Sequence, residues 1–250
     1  QNLINAFKTD ANGLPFESFN QLPHIQTITD VKANNMDPRI AHTLGIIGMP
    51  FKYDPNRIYD ETYARVPGVY GYNLGMKDQE LPSSPAFRQY QAFFSIARNT
   101  DQIRFGDLLL MKAEALIELN QLDPARTIIN RIRSRAINPA SLSRIADKDG
   151  NPTGKWVVGL YNNPFAGKDE ARKALRWERR LELAFESKRF FDLVRWGIAE
   201  PTLNKYFEEE KGLRPHLNDA HFTAGRDEYL PIPQQQITIS QGLYQQNVGY

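Results

Sequence analysis

The sequence predicts a mainly α-helical protein with long ordered loops and a few short strands. Three observations carry this. Phe105, Leu109, Ala113 and Leu116, then Ala125, Ile128, Ile129, Ile132 and Ala136, recur at helical spacing and form two apolar stripes. A third stripe, Ala174, Trp177, Leu181, Ala184 and Phe185, runs through a charge-dense stretch over residues 169–197. Residues 1–102, in contrast, are broken by turn formers such as Asn12-Gly13, Asp54-Pro55 and Pro67-Gly68.

Taken in order, residues 1–102 form a loop-rich part. Short extended pieces are expected at 24–28 and 66–72, and Asp37-Pro38 reads as a helix start with Asp37 capping. Aromatic residues including Phe16, Phe19, Phe51, Tyr53, Tyr59, Tyr63, Tyr70, Tyr72, Tyr90, Phe93 and Phe94 are too many for a solvated tail. These loops are therefore expected to be packed, with some aromatic faces presented to solvent.

Residues 103–136 read as a helical hairpin. Its first helix ends near Leu119-Asn120, and Asp123-Pro124 restarts the chain as cap plus proline at the first position. A link of about four residues makes the two helices antiparallel neighbours. The hairpin resembles one tetratricopeptide-like unit, which cannot bury both faces alone. Residues 137–168 return to loop. Asp147-Lys148-Asp149-Gly150-Asn151 lacks the closing glutamate of a calcium loop and reads as a turn.

Residues 169–197 read as two helices joined by a tight bend, with Asp169 and Glu170 suiting a helix N-terminus and Gly197 the left-handed position past a helix end. Glu178 and Glu182 sit at the edge of the apolar stripe among arginines, Arg179 and Arg180 included. Carboxylates beside a core must be paired, and arginine is the fork-shaped partner. These four residues are therefore candidate structural ion-pair formers. A glycosidase instead needs two carboxyls facing each other about 5–10 Å apart. A short acidic helix over 201–210 and an extended tail containing Leu230-Pro231-Ile232-Pro233 complete the chain, and the whole is expected to form a single domain.

Composition excludes several classes. The 250 residues carry a net charge of +2 with acids and bases interleaved, which argues against nucleic acid. There is no cysteine, so disulfides, thiolate zinc sites and cysteine nucleophiles are excluded. No Gly-x-Ser-x-Gly elbow and no zinc helix motif around His24, His42, His216 or His221 is present, and no cofactor motif is found. No catalytic or metal-binding residue is assigned.

Four segments, in order, resemble the SusD/RagB family of bacterial surface nutrient-binding lipoproteins. They are Ile103-Arg104-Phe105 through Ala115, Ala125 through Ala136, Glu178-Arg179-Arg180-Leu181-Glu182-Leu183-Ala184-Phe185-Glu186-Ser187-Lys188-Arg189-Phe190-Phe191-Asp192-Leu193, and Leu230-Pro231-Ile232-Pro233 with the tail. Asp37-Pro38-Arg39 is a weaker fifth. Ser187 stands where the family has glycine.

The resemblance covers the family's C-terminal half. It implies a non-catalytic protein exposed on the outer membrane that passes oligosaccharide to a SusC-type TonB-dependent transporter. Membrane attachment would run only through a lipid anchor on an N-terminal part outside this chain. Sugar faces stack on aromatic rings, so the loop residues Tyr59, Tyr63, Tyr70, Tyr72 and Trp156 are the stacking candidates. A docking module on the transporter, or a peptide-binding protein, would use the same aromatic loops.

Overall fold

The computed structural model describes residues 1–90, 93–99 and 101–250. It is mainly helical, with short strands and long ordered loops. The chain forms two compact units, Gln1–Ser187 and Lys188–Tyr250, and the boundary falls at the bend inside the 169–197 stretch.

The first unit opens with α1 (Asn2–Asn5), α2 (Ile28–Ala33), β1 (Asn35–Met36), α3 (Arg39–Thr43), β2 (Pro50–Phe51), β3 (Asp54–Ile58) and α4 (Pro67–Tyr70). Strands β4 (Phe87–Tyr90) and β5 (Phe93–Ile96) follow, then α5 (Phe105–Glu118), α6 (Leu122–Ala136), α7 (Pro139–Ser143), β6 (Lys155–Trp156) and α8 (Lys168–Glu182). The strands pair as three two-stranded ribbons: β1 with β6 in parallel, β2 with β3 and β4 with β5 antiparallel. Of Tyr90, Phe93 and Phe94 only the backbone is described.

Helix α8 is the axis of this unit. Ala171, Ala174 and Leu175 on one side join Leu110, Ala113 and Ile117 of α5 and Ala125, Ile129 and Ile132 of α6 in one core. Leu181 and Ala184 join Phe7, Ile25, Val31, Met36, Ile40 and Ile46 of the loop-rich part in another. Each large side chain so buried contributes roughly 1.5–3 kcal/mol. The acids Asp169 and Glu170 lie in the first turn of α8 and Arg179 and Arg180 in its last, in accord with the helix dipole.

Several details differ from the sequence expectation. The buried face of α5 is centred on Leu110, Ala113 and Ile117; Leu109 and Leu116 of the expected stripe pack at its edge, half-buried, and Phe105 is 62% exposed under the Arg131 guanidinium. The run Leu108-Leu109-Leu110 offers two phases, and packing against α6 and α8 selects one. Phe185 is likewise out of the stripe and 48% exposed. The piece expected at 24–28 runs non-helical to Thr27, which bridges Ile47 in parallel, and α2 starts at its last residue, Ile28; the piece expected at 66–72 is instead a helical turn over 67–70. Asp30 accepts the Thr27 amide at 2.8 Å and starts α2, and Pro67 starts the 67–70 turn. Asp123 does not cap α6, which begins at Leu122; it pairs with Arg126.

The second unit holds α9 (Arg189–Arg195), α10 (Ala199–Glu210) and α11 (Gln234–Ile239). Leu193, Ala199 and Phe222 form its small core. Gly197 takes the left-handed conformation past α9 with φ 66°. The tail is held by side chains. Gln246 accepts from the Ile232 amide at 2.7 Å and donates to the Ile232 carbonyl at 2.9 Å, replacing the strand partner that the flanking prolines cannot have.

Candidate functional site

Two arrangements in the first unit bring together the residues singled out in the sequence. The first is a buried charge cluster along α8. Glu178 and Glu182 are fully buried, not at an edge. Arg39 donates to Glu178 at 2.5 Å and to Glu182 at 3.2 Å, and it also forks onto Asp37 at 2.7 and 3.0 Å. Arg133 reaches the second oxygen of Glu178 at 3.1 Å. Glu182 further accepts from Arg104 at 2.6 Å and from Arg135.

The arginines that hold these carboxylates therefore come from α3, α5's edge and α6. Arg179 pairs with buried Asp107 at 3.0 Å. Arg180 donates to Asn2 and lies over the Phe19 and Trp177 rings. Burial drives the Glu182 carboxyl up, but Arg39, Arg135 and Arg104 overcome it and hold the group down at about 2. Glu178, Glu182 and Asp107 each accept from arginine, so the cluster ties α3, α5 and α6 to α8. This is the geometry of a structural staple.

The second arrangement is aromatic. Tyr59 and Tyr63 stack at 4.8 Å, and Phe51 lies 4.9 Å from Tyr63. Arg57 sits 5.8 Å from both the Phe51 and Tyr63 rings and donates to the Tyr63 hydroxyl at 2.6 Å. Tyr59 is 0% exposed and offers no face to a ligand, which corrects its expected stacking role. Its ring fills the space against Gly45, where an added Cβ would lie 2.3 Å from it. The Tyr59 hydroxyl donates to the Tyr72 carbonyl.

That bond belongs to a set that fixes the 66–76 loop. Asn73 donates to the Gly45 carbonyl, Gly45 to the Leu74 carbonyl and Met76 to the Thr43 carbonyl, at 2.9, 2.9 and 2.8 Å. The strapped loop holds Tyr70 72% exposed and Tyr72 42% exposed. Tyr63 is half-buried and packs on the core of Phe51, Tyr59 and Met76. Trp156 is not brought to this group. It lies on β6, half-buried against the α8 core, with Gly154 pressed to its ring, and is a plug more than an open platform. Tyr161, near the same loop, is pushed up to about 12 by burial under Arg133.

Sequence reasoning missed Arg57, whose signal is its place on β3 two residues before Tyr59 and six before Tyr63, and missed the partners of Glu178, of which only Asp37-Pro38-Arg39 was marked. Asp147 is an ordinary turn residue, its carboxylate taken by the Asp149 and Asn151 amides at 3.0 and 2.8 Å.

A profile of the SusD family matches residues 1–250 of the chain. The chain belongs to the SusD family. Its relatives include SusD-like protein P2 of Formosa agariphila, 30% identical over 192 residues covering 73% of this chain and 34% of that protein. SusD-like protein P38 of the same organism is 38% identical over 182 residues, covering 72% of this chain and 31% of that one. The chain thus spans about a third of the length of these relatives. Among solved structures, a SusD-like protein from Bacteroides fragilis matches with a TM-score of 0.61 at 22% identity, over 100% of this chain and 46% of that one. A SusD homolog from Bacteroides thetaiotaomicron matches with a TM-score of 0.59 at 21% identity, over 86% and 41%. These two show the shared fold. In this SusD-family chain, Glu178 and Glu182 of the 178–193 stretch are what Arg39, Arg104, Arg133 and Arg135 converge on.

Proposed function

We propose that this SusD-family protein captures oligosaccharide at the surface of the outer membrane and delivers it to a SusC-type TonB-dependent transporter, without catalysis. Family membership sets the class. The observation that carries the site is the strapped 66–76 loop, which holds Tyr70 and Tyr72 exposed on an anchored backbone. Anchored aromatic faces suit sugar rings, because little side-chain or loop entropy is lost on stacking. Tyr63 and Arg57 extend the surface with a polar edge. Membrane attachment is through a lipid anchor; among the described residues no helix is long and apolar enough to cross a membrane.

The test is retardation of the full-length protein in gels containing soluble polysaccharides, with the same mixtures assayed for new reducing ends. Retardation by a glycan without release supports glycan capture. Release of sugar would make the protein an enzyme, and binding to the transporter without any glycan would leave it a docking module.

A further inference from the structure

Lys52 and Tyr53 form the two-residue tip joining β2 to β3, with φ 50° and 70°. Such tips favour Asn-Gly, and each non-glycine residue held left-handed costs about 1–2 kcal/mol. Strain of this kind persists where placement matters. Here it sets the Tyr53 ring 5.4 Å from the His42 ring, with the hydroxyl and His42 Nδ1 sharing a bond of 3.2 Å. The Arg144 guanidinium lies 4.2 Å from the centre of the Tyr53 ring.

The charges that bear on the Tyr53 hydroxyl are cationic, Arg144 first and then Arg98. Arg144 is exposed and, among the described residues, has no carboxylate partner. Lys52 donates to two backbone carbonyls, Met76 at 2.7 Å and Lys77 at 3.0 Å; Glu80 and Asp78 lie near it, as do the Arg98 and Arg144 guanidiniums. Arg135 is bound to Glu182 yet its side chain is 58% exposed. His42 is pushed down to about 4 by burial first and by Arg144 and Arg135 next, against the smaller upward pull of Asp37 and Glu182. Its Nε2 is buried without a hydrogen-bond partner.

We propose that Arg144, stacked on Tyr53 and flanked by Arg135 and Lys52, is the docking point for an anionic group, a carboxylate or sulfate ester, on the captured glycan. The inference rests on the glycan-capture reading above and specifies its ligand class. A guanidinium lying on an aromatic ring keeps its outer N–H edges open in a fixed plane, and that fork matches carboxylate and sulfate oxygens. The tyrosine ring limits the side-chain freedom that a lone surface arginine would lose on binding.

The test is calorimetry on the full-length protein with four probes: oligogalacturonate, the same oligosaccharide after carboxyl reduction, a sulfated galactan oligosaccharide and inorganic sulfate. Wild type is compared with Arg144→Gln, Arg144→Lys and, as a control on an exposed cation, Lys148→Gln. One of the two acidic oligosaccharides should bind more tightly than the reduced one. Arg144→Gln should weaken that acidic ligand roughly tenfold and leave the reduced one unchanged. Arg144→Lys should fall between, and Lys148→Gln should change nothing. Equal losses on charged and neutral ligands, or no loss, would overturn the docking point. Preference for the neutral sugar overturns it while glycan capture stands. Sulfate bound through Arg144 with no oligosaccharide bound means an adventitious ion only and overturns the docking point, while glycan capture is judged separately by the polysaccharide gels.

Discussion

Arg39 and Glu178 lie 139 residues apart in the chain and 2.5 Å apart in space, and both side chains are nearly free of solvent. A buried ion pair of this kind contributes little net stability against an apolar replacement of the whole group, but removing one partner leaves a charge with no water and no counter-ion. Arg39→Met strands Asp37, which keeps only the backbone amide of residue 39, and leaves Glu178 to Arg133 alone.

Arg39→Met should therefore cost about 3–5 kcal/mol of unfolding free energy, read from urea denaturation. The control is Arg126→Met, which breaks an exposed pair with Asp123 and should cost less than about 1 kcal/mol. Equal costs would mean that the α8 cluster is worth no more than a surface contact.

Acid should weaken the fold in two stages. His42 titrates at about 4 in the fold against an ordinary 6.5, because burial and then Arg144 and Arg135 favour the neutral ring. Its contribution is complete above pH 6.5 and is lost as pH falls toward 4. Glu182 titrates at about 2 against an ordinary 4.5, so its contribution is complete above 4.5 and is lost below. The Glu182 share is roughly 2–4 kcal/mol. Urea midpoints measured from pH 7 to 3 should fall throughout, and His42→Gln should flatten the upper part of the curve only.

The tyrosines should separate by role. Tyr70→Ala or Tyr72→Ala should weaken glycan binding by ~1 kcal/mol or more with the thermal midpoint held. Tyr59→Ala should instead cost about 3–5 kcal/mol of stability. Tyr59→Phe keeps the ring but unties the Tyr72 carbonyl, and faster amide exchange across residues 66–76 should report it. Unchanged exchange would show that the remaining backbone bonds hold the loop alone.

Ser187 holds φ 57° at the bend after α8, a conformation that glycine adopts freely. Ser187→Gly should stabilise the protein by up to about 1 kcal/mol, the left-handed cost exceeding the entropy that glycine adds to the unfolded chain. A lower thermal midpoint would show that the serine side chain is needed at the bend.

The helices were legible because apolar periodicity is local. The phase of α5 was not, since Leu108, Leu109 and Leu110 serve two faces and only contact with Ala125 and Ala171 decides between them. Glu178 was legible as a paired carboxylate, but its partners were not, because Arg39 and Arg133 lie far away in sequence. Tyr59 and Tyr72 look alike in sequence; the β2–β3 hairpin turns one inward and the loop strap turns the other out. Tyr53 and Arg144 carried no signal, because the left-handed tip is written in no Asn-Gly pair.

The α8 staple also imposes an order on synthesis. Arg39 emerges from the ribosome long before Glu178 and Glu182, and Arg104, Arg133 and Arg135 emerge in between. Until the two glutamates are made, those cations have no buried home and must stay hydrated, so the loop-rich part and the α5–α6 hairpin are held apart and soluble. The arrival of α8 then closes both cores at once. The helix acts as a late latch, and a chain truncated before residue 178 should leave its guanidiniums facing water instead of the two carboxylates.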